Sequence, residues 1–186
     1  MSPPDAAPTP TPDPDPDPDP DPEPGAETRG GARAPAPGSA AEGVFDLSGQ
    51  VALVTGGNGG IGLGMAEGLV LAGAAVAICG RDTGKVDTAV EHLRRIRADA
   101  EVEGFRCDVG IESEVVDLVG FTVDRFGRLD ACVANAGISG DSAILDLSLD
   151  EWRRVMAVNL DGVFVTLREA ARQMVAQGEG GALVAV

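Results

Sequence analysis

A group of glycines beside an apolar segment is the part of this sequence best suited to bind a phosphate. Val51–Thr55 is a run of apolar and β-branched residues, and Gly56, Gly60 and Gly62 follow it where a helical pattern begins. Glycine is favoured there because a side chain would block a positive-φ turn or keep phosphates away from the backbone. The first N–H groups of the helix suit a pyrophosphate. A glycine-rich turn without a ligand is the alternative.

Arg81 is a second candidate for phosphate chemistry. It stands 19 residues after Gly62, directly behind an apolar segment and Gly80, where a dinucleotide fold meets the adenosine ribose. An arginine there can pair with a 2′-phosphate, whereas an acid would accept hydrogen bonds from a free 2′-hydroxyl. We therefore predict NADP in preference to NAD. The alternative is a solvated arginine that pairs with Asp82.

Short apolar segments alternate with longer amphipathic ones from Phe45 onward. We expect a strand at each short segment and a helix between each pair, the strands being residues 51–55, 75–79, 102–107, 130–135 and 182–186. This alternation predicts an α/β fold, a Rossmann-type doubly wound parallel sheet with right-handed crossovers. The ligand crevice of such a sheet lies at the carboxyl ends of its strands.

The glycine pattern, with Thr55 before it, reads TGxxxGIG and resembles the nucleotide-binding turn of the short-chain dehydrogenase/reductase family. The resemblance implies an NAD(P)-dependent oxidoreductase that acts on a small alcohol or carbonyl substrate. The cofactor contacts that it implies at the turn are Thr55, Gly56, Asn58, Gly60, Ile61 and Gly62.

Two further strand ends carry motifs of the same family. Asp108-Val109 looks like its Asp-Val pair, in which the acid accepts from the adenine amino group and the apolar residue packs on the ring. A helix-capping role is the alternative for Asp108. Asn135, Ala136 and Gly137 resemble the end of the family's NNAG motif, which implies that Asn135 ties the central strands together. The resemblance also implies that Gly137 lets the nicotinamide ribose approach the backbone.

A long helix should start at the capping box formed by Ser148 and Glu151. Asn159 interrupts its apolar face, and a buried amide must find hydrogen-bond partners. The segment resembles the family helix with the catalytic Asn, which implies that Asn159 holds a water for proton relay. A structural Asn that bends the helix is the alternative. The positions expected on the buried face are Trp152, Met156, Val163, Leu167 and Met174.

Residues 1–44 differ in composition from the rest of the chain. All 13 prolines lie between Pro3 and Pro37, and Asp alternates with Pro over much of that stretch. Such a segment cannot bury enough apolar surface to offset the entropy lost on ordering. We therefore predict a disordered acidic tail at residues 1–44, followed by an NAD(P)-binding domain at residues 45–186.

Composition argues against several classes of partner. The net charge of −16 disfavours nucleic acid and anionic membranes. No apolar run reaches the ~18 residues of a membrane span. The amino terminus lacks the basic region and following apolar stretch of a secretory signal. We therefore expect a cytoplasmic protein. Cys79, Cys107 and Cys132 are interpreted as buried reduced thiols, and a single histidine without a CxxC motif argues against a metal site.

The catalytic Ser, Tyr and Lys of the resembled family follow its fifth strand. This sequence contains no tyrosine, and its one lysine is Lys85. Hydride transfer needs a group that moves the accompanying proton. We therefore expect the amino-terminal part of an oxidoreductase, whose sheet ends after the fifth strand and whose exposed edge favours self-association. The alternative is a finished, non-catalytic dinucleotide-binding protein, such as a sensor or a partner subunit.

Overall fold

A parallel sheet forms the centre of the fold. The structure is a computed structural model and describes residues 45–140 and 142–186. Its strands are β1 Val51–Thr55, β2 Ala75–Gly80, β3 Val102–Arg106, β4 Ala131–Ala134 and β5 Ala182–Ala185. They lie in the order β3-β2-β1-β4-β5, and every pair of neighbours is parallel.

Helices connect the strands, so the predicted α/β alternation is confirmed. They are α1 Gly60–Leu71, α2 Thr83–Ile96, α3 Glu112–Phe126, α4 Leu149–Met156 and α5 Gly162–Gln177. The observed strands begin and end within one residue of the predicted bounds. Among the described residues, no helix combines the length and apolar character that crossing a membrane requires. The predicted tail, residues 1–44, lies outside the described residues.

Both faces of the sheet are covered, because alternate strand residues enter two different apolar clusters. Leu53 packs with residues of α3 and α5, while its neighbour Val54 packs with residues of α1 and α2. Every residue of β1 is buried. Strands buried on both faces read as continuous apolar runs, and for this reason the sequence predicted them well.

The order of the strands reverses beside β1. The chain adds β2 and β3 on one side of β1, and then crosses over to add β4 and β5 on the other side. The two connections that leave β1 and β4 therefore diverge at the carboxyl ends of these strands. In open α/β sheets a crevice forms at such a switch point.

The segment that contains Asn159 is not a continuous α-helix. Ser148 starts α4 as predicted, and its Oγ accepts the N–H of Glu151 at 3.2 Å. A π turn, Ala157–Asp161, then separates α4 from α5. A π turn holds one residue more than an α turn, so positions before and after it do not share one face.

The predicted buried face of this segment is therefore wrong except at Met174, which is buried as predicted. Trp152 is 48% exposed, and Asn159 is exposed rather than buried. Val163 and Leu167 are only partly buried. The residues that are buried in the π turn and α5 are Val158, Gly162, Val165, Thr166, Ala170 and Met174.

The strand β5 forms one edge of the sheet. All of its residues, Ala182–Ala185, are exposed, although they are apolar. An exposed apolar edge strand offers unpaired backbone groups to other chains. Self-association of the chain stays a prediction.

The start of α1 packs tightly against the turn that follows β1. A Cβ built on the buried Gly62 would overlap the carbonyl oxygen of Gly56 and the side-chain nitrogen of Asn135. On the same helix, the exposed Gly64 has no atom within 4 Å of such a Cβ. Gly62 is therefore required by packing, whereas Gly64 is not.

We expect opposite effects from alanine at these two glycines. Gly62→Ala should lower the free energy of unfolding by about 1–3 kcal/mol, because α1 must move away from the turn. Gly64→Ala should raise it by about 0.5–1 kcal/mol, because alanine loses less backbone entropy in a helix. Urea denaturation followed by circular dichroism measures both. Equal stabilisation by the two changes would contradict the tight packing at Gly62.

Candidate functional site: a cleft at the carboxyl ends of the strands

An open cleft of about 510 Å³ lies at the carboxyl ends of the first four strands. Segments that follow β1, β2, β3 and β4 all contribute to its lining. The sequence-predicted residues that line it are Gly56, Asn58, Arg81, Asp108, Val109, Ala136 and Gly137. The fold thus brings together residues that are far apart in the sequence.

A second cleft, of about 310 Å³, lies near the amino end of β1. Two of its lining cations are neutralised, since Arg97 pairs with Asp99 at 2.7 Å and Arg128 pairs with Asp130 at 2.6 Å. None of the predicted site residues lines it. The cleft at the carboxyl ends is therefore the better candidate for binding an anionic ligand.

The turn after β1 takes a shape that requires glycine. Gly56 has a φ of 66° and Gly60 a φ of 54°, in the left-handed region that other residues rarely adopt. A Cβ at Gly56 would also lie 2.9 Å from the Cα of Ala136. The turns after β1 and β4 are therefore in direct backbone contact.

Free backbone donors lie at the start of α1. Its first hydrogen bond runs from the N–H of Leu63 to the carbonyl of Gly59 at 3.2 Å. Within the described part of the chain, the N–H groups of Ile61 and Gly62 have no acceptor, as the sequence predicted. Free N–H groups at a helix start can bind an anion. The Ile61 side chain itself is 68% exposed and does not line the cleft.

Thr55 and Asn135 hold β1 and β4 together at their carboxyl ends. The Oγ1 of the buried Thr55 accepts the N–H groups of Asn135 and Ala136 at 3.0 and 3.1 Å. In return, the Nδ2 of Asn135 donates to the carbonyl of Thr55 at 3.0 Å. Neither residue lines the cleft. They position the residues that do.

Arg81 lies exposed at the end of β2 and lines the cleft. It makes no ion pair within the described part of the chain. Asp82 instead caps α2, and its Oδ1 accepts the N–H of Lys85 at 3.1 Å. The predicted alternative of a pair with Asp82 is therefore wrong, whereas the exposure of Arg81 agrees with a solvated arginine.

Lys85 also lines this cleft, although the sequence did not mark it as a site residue. It lies in the first turn of α2, four residues after Arg81. The signal that could have found it is a second basic residue close to Arg81 in the sequence, at the start of the next helix. Other lining residues that were not predicted are Cys79, Gly80, Asp82, Cys107, Ile138 and Val158.

Asp108 belongs to a turn rather than to a helix cap. Its Oδ1 accepts the N–H of Gly110 at 3.0 Å, whereas the residue that caps α3 is Ile111. The capping alternative is therefore wrong. The N–H of Asp108 donates to Glu114 at 2.6 Å, and this hydrogen bond, with one from Arg106, lowers the pKa of Glu114.

The lining of the cleft after β2 and β3 is partly apolar. Val109 is 5% exposed, and its Cγ2 would lie 2.8 Å from a Cβ at Gly162. Cys79 and Cys107 are buried free thiols, as predicted. Hydrogen bonding to Cys107, together with burial, raises the pKa of Cys79. Among residues 45–140 and 142–186, no cluster of three or more His, Cys, Asp or Glu side chains could hold a metal ion.

Asn159 holds the turn that follows β4. Its Oδ1 accepts the N–H of Ile138, and its Nδ2 donates to the carbonyl of the same residue, both at 2.9 Å. Both ends of the amide are thus used by protein backbone. Asn159 does not line the cleft, but Ile138 and the adjacent Val158 do. A catalytic role for Asn159 stays a prediction.

Comparison with known proteins agrees with this arrangement. The model of the short chain dehydrogenase family matches residues 50–186. (+)-Borneol dehydrogenase 2 from Salvia officinalis is 40% identical over 140 residues, which are 72% of this chain and 47% of that protein. NADP-dependent (R)-specific alcohol dehydrogenase from Lentilactobacillus kefiri is 35% identical over 138 residues, which are 74% of this chain and 54% of that protein.

A solved structure is also similar. The crystal structure of a short-chain type dehydrogenase/reductase from Mycobacterium marinum superposes with a TM-score of 0.73 at 36% identity. The match covers 77% of this chain and 57% of that one. The chain spans about half the length of the curated relatives it matches.

The link between β1 and β4 can be tested at Thr55. Thr55→Val keeps the shape of the side chain but leaves two N–H groups without their acceptor, so it should lower the free energy of unfolding by about 2 kcal/mol or more. The control Thr55→Ser keeps the hydroxyl and loses one methyl group, at a cost of about 1 kcal/mol. Urea denaturation compares them. A valine variant at least as stable as the serine variant would contradict this role of the hydroxyl.

Proposed function

Because this chain belongs to the short-chain dehydrogenase family, we propose that its cleft binds an NAD(P) dinucleotide and prefers NADP to NAD. The observation that carries the proposal is the turn between β1 and α1. Its glycines leave the backbone open, and the N–H groups of Ile61 and Gly62 have no acceptor among the described residues. These donors suit the pyrophosphate.

The end of β2 supports a 2′-phosphate on the adenosine ribose. Arg81 lines the cleft and has no ion-pair partner within the described part of the chain. A guanidinium matches the geometry of a phosphate. Because Arg81 has no carboxylate partner among the described residues, no ion pair must be broken before it binds the phosphate. The alcohol dehydrogenase from Lentilactobacillus kefiri to which this chain is similar is named NADP-dependent.

The remaining lining residues suit the two ends of the dinucleotide. Asp108 and Val109 would contact the adenine, the acid by a hydrogen bond and the valine by packing. Ala136 and Gly137 would lie against the nicotinamide ribose. A Cβ at Gly137 would meet the Oδ1 of Asn159 at 3.6 Å, which is ordinary contact. Packing therefore does not demand this glycine, and close approach of a ligand is the better reason for it.

We propose that the whole protein is an oxidoreductase that transfers hydride between NADP and a small alcohol or carbonyl compound. The bound dinucleotide would supply the hydride acceptor or donor. The residues of this sequence bind and orient it, and Asn159 fixes the turn beside its nicotinamide end. Since the sequence has no tyrosine, we propose that a segment outside these residues supplies the proton carrier.

A non-catalytic dinucleotide-binding protein is the second candidate function. The absence of tyrosine favours it, because no phenol is present to move a proton. A cytoplasmic location and the absence of nucleic-acid and membrane partners stay predictions, which the acidic composition supports.

Calorimetric titration of the purified chain with NADP and NAD tests the cofactor proposal. We expect NADP to bind more tightly, by about tenfold to a hundredfold, because a charge-assisted contact contributes about 1.5–3 kcal/mol. Arg81→Asp should reverse the preference. The matched control is Arg154→Gln, because Arg154 is exposed, outside the cleft, and also without an ion pair in the described residues.

Two results would contradict this expectation. A folded chain that binds neither nucleotide at millimolar concentration would refute the dinucleotide site. Equal affinities for NADP and NAD, unchanged by Arg81→Asp, would refute the assigned preference and leave the site itself standing.

Activity assays distinguish the two candidate functions. The 186-residue chain alone should not turn over alcohols or ketones, because the proton carrier typically contributes about 10²- to 10⁴-fold to the rate. Fusion to the carboxyl-terminal segment of a related enzyme, with its Ser and YxxxK, should produce activity. Asn159→Ala in the fusion should then reduce it. The absorbance of reduced nicotinamide follows the reaction, and turnover by the unfused chain would contradict this assignment.

A further inference from the structure

One corner of the cleft separates it from a neighbouring groove. This corner, which we call the ribose corner, consists of Asn58, Gly80, Arg81 and Lys85, all of which line the cleft. The groove, of about 520 Å³, lies between α1 and α2, and Asn58 and Lys85 line it as well. These two side chains therefore form the wall that the cleft and the groove share.

The ribose corner holds two cations that have no ion-pair partner among the described residues. Neither Arg81 nor Lys85 makes an ion pair with any described residue. The other basic side chains of the neighbouring groove, by contrast, do have acidic partners. The Nε2 of His92 lies 2.7 Å from the Oε1 of Glu67, and the Nη1 of Arg95 lies 4.0 Å from the Oε2 of Glu91. In a chain with a net charge of −16, carboxylates are abundant. Two unpaired cations at one corner therefore produce a local positive potential that favours an anion.

Asp82, which lies between these cations in the sequence and also lines the cleft, makes no ion pair with either of them. The Oδ1 of Asp82 accepts the N–H of Lys85 at 3.1 Å and caps α2. This contact uses the backbone of Lys85 and leaves its ammonium group without a partner. The side chain of Lys85 is exposed, so it can turn toward a ligand that occupies the cleft.

The side chain of Asn58 fills the space beside Gly80 at the end of β2. A Cβ at Gly80 would lie 2.5 Å from both the Cγ and the Oδ1 of Asn58. A longer side chain at position 80 would thus have to displace Asn58 before its carboxylate could reach the ribose. Asn58 thus places a neutral amide, rather than a carboxylate, beside position 80.

We propose that Lys85 is a second ligand of the 2′-phosphate, beside Arg81, and so determines the preference for 2′-phosphorylated adenosine. The inference depends on the proposed dinucleotide site, because the phosphate must be delivered to this corner by the adenosine ribose. A phosphate monoester carries a charge of about −1.5 to −2 at neutral pH. One arginine neutralises part of this charge, and the lysine ammonium, a compact point charge, neutralises the rest.

Adenosine 2′,5′-bisphosphate and 5′-AMP are the probes that isolate this contact, because they differ only in the 2′-phosphate. Calorimetric titration of the full chain should give Lys85→Gln about tenfold lower affinity for the bisphosphate, as expected for one charge-assisted contact. The affinity for 5′-AMP should not change. Lys85→Arg should retain most of the preference, because it keeps the charge.

Arg95→Gln is the matched control. Arg95 is an exposed cation of the same helix that lines the neighbouring groove but not the cleft. Its replacement removes the same net charge and should leave both affinities unchanged. An effect of Arg95→Gln equal to that of Lys85→Gln would overturn the proposal, because overall charge would then explain both.

The two proposals can fail separately. If the parent binds both probes and Lys85→Gln leaves their affinity ratio unchanged, Lys85 is not a phosphate ligand and the dinucleotide site stands. If Lys85→Gln weakens both probes equally, the contact is not with the 2′-phosphate, and the inference is again overturned. If the folded parent binds neither probe, both the inference and the proposed site are refuted.

Discussion

The hydrogen bonds between Thr55 and the Asn135-Ala136 backbone are the constraint on which the cleft depends. They join two strand ends that are 80 residues apart in sequence, at the switch point where the connections diverge. The Nδ2 of Asn135 also marks the closest approach of α1, because it fills the space beside Gly62. One buried hydroxyl and one amide thus fix the sheet, the glycine turn and the helix start relative to each other.

Positively charged side chains without ion-pair partners among the described residues line this cleft, although the protein as a whole is acidic. Elsewhere in the described residues most arginines lie beside carboxylates, as Arg97 lies beside Asp99 and Arg153 beside Asp150. Exposed pairs of this kind contribute little to stability. Their more important effect is to leave few free cations, so that Arg81 and Lys85 stand out electrostatically at the end of β2. The backbone N–H groups of the first turn of α1 add donors without adding a titratable charge.

Sequence patterns predicted the sheet well and the long helix poorly, for physical reasons. A strand buried on both faces depends only on its own composition, as in Val51–Thr55. The π turn contains Asn159, whose partner Ile138 lies 21 residues away in the sequence, so helical periodicity counted along the chain could not reveal this contact. Lys85 was missed because the two neighbouring cavities that it lines exist only in the folded chain.

The two ends of the cleft are held by different parts of the fold. The ends of β2 and β3 position one end of the cleft, where Arg81 and Asp108 lie. The other end is held by the π turn, because Asn159 makes two hydrogen bonds to the backbone of Ile138, which lines the cleft. Those two hydrogen bonds connect the π turn to the segment after β4, so loss of the Asn159 amide should disturb that segment and leave the end of the cleft near Arg81 unchanged.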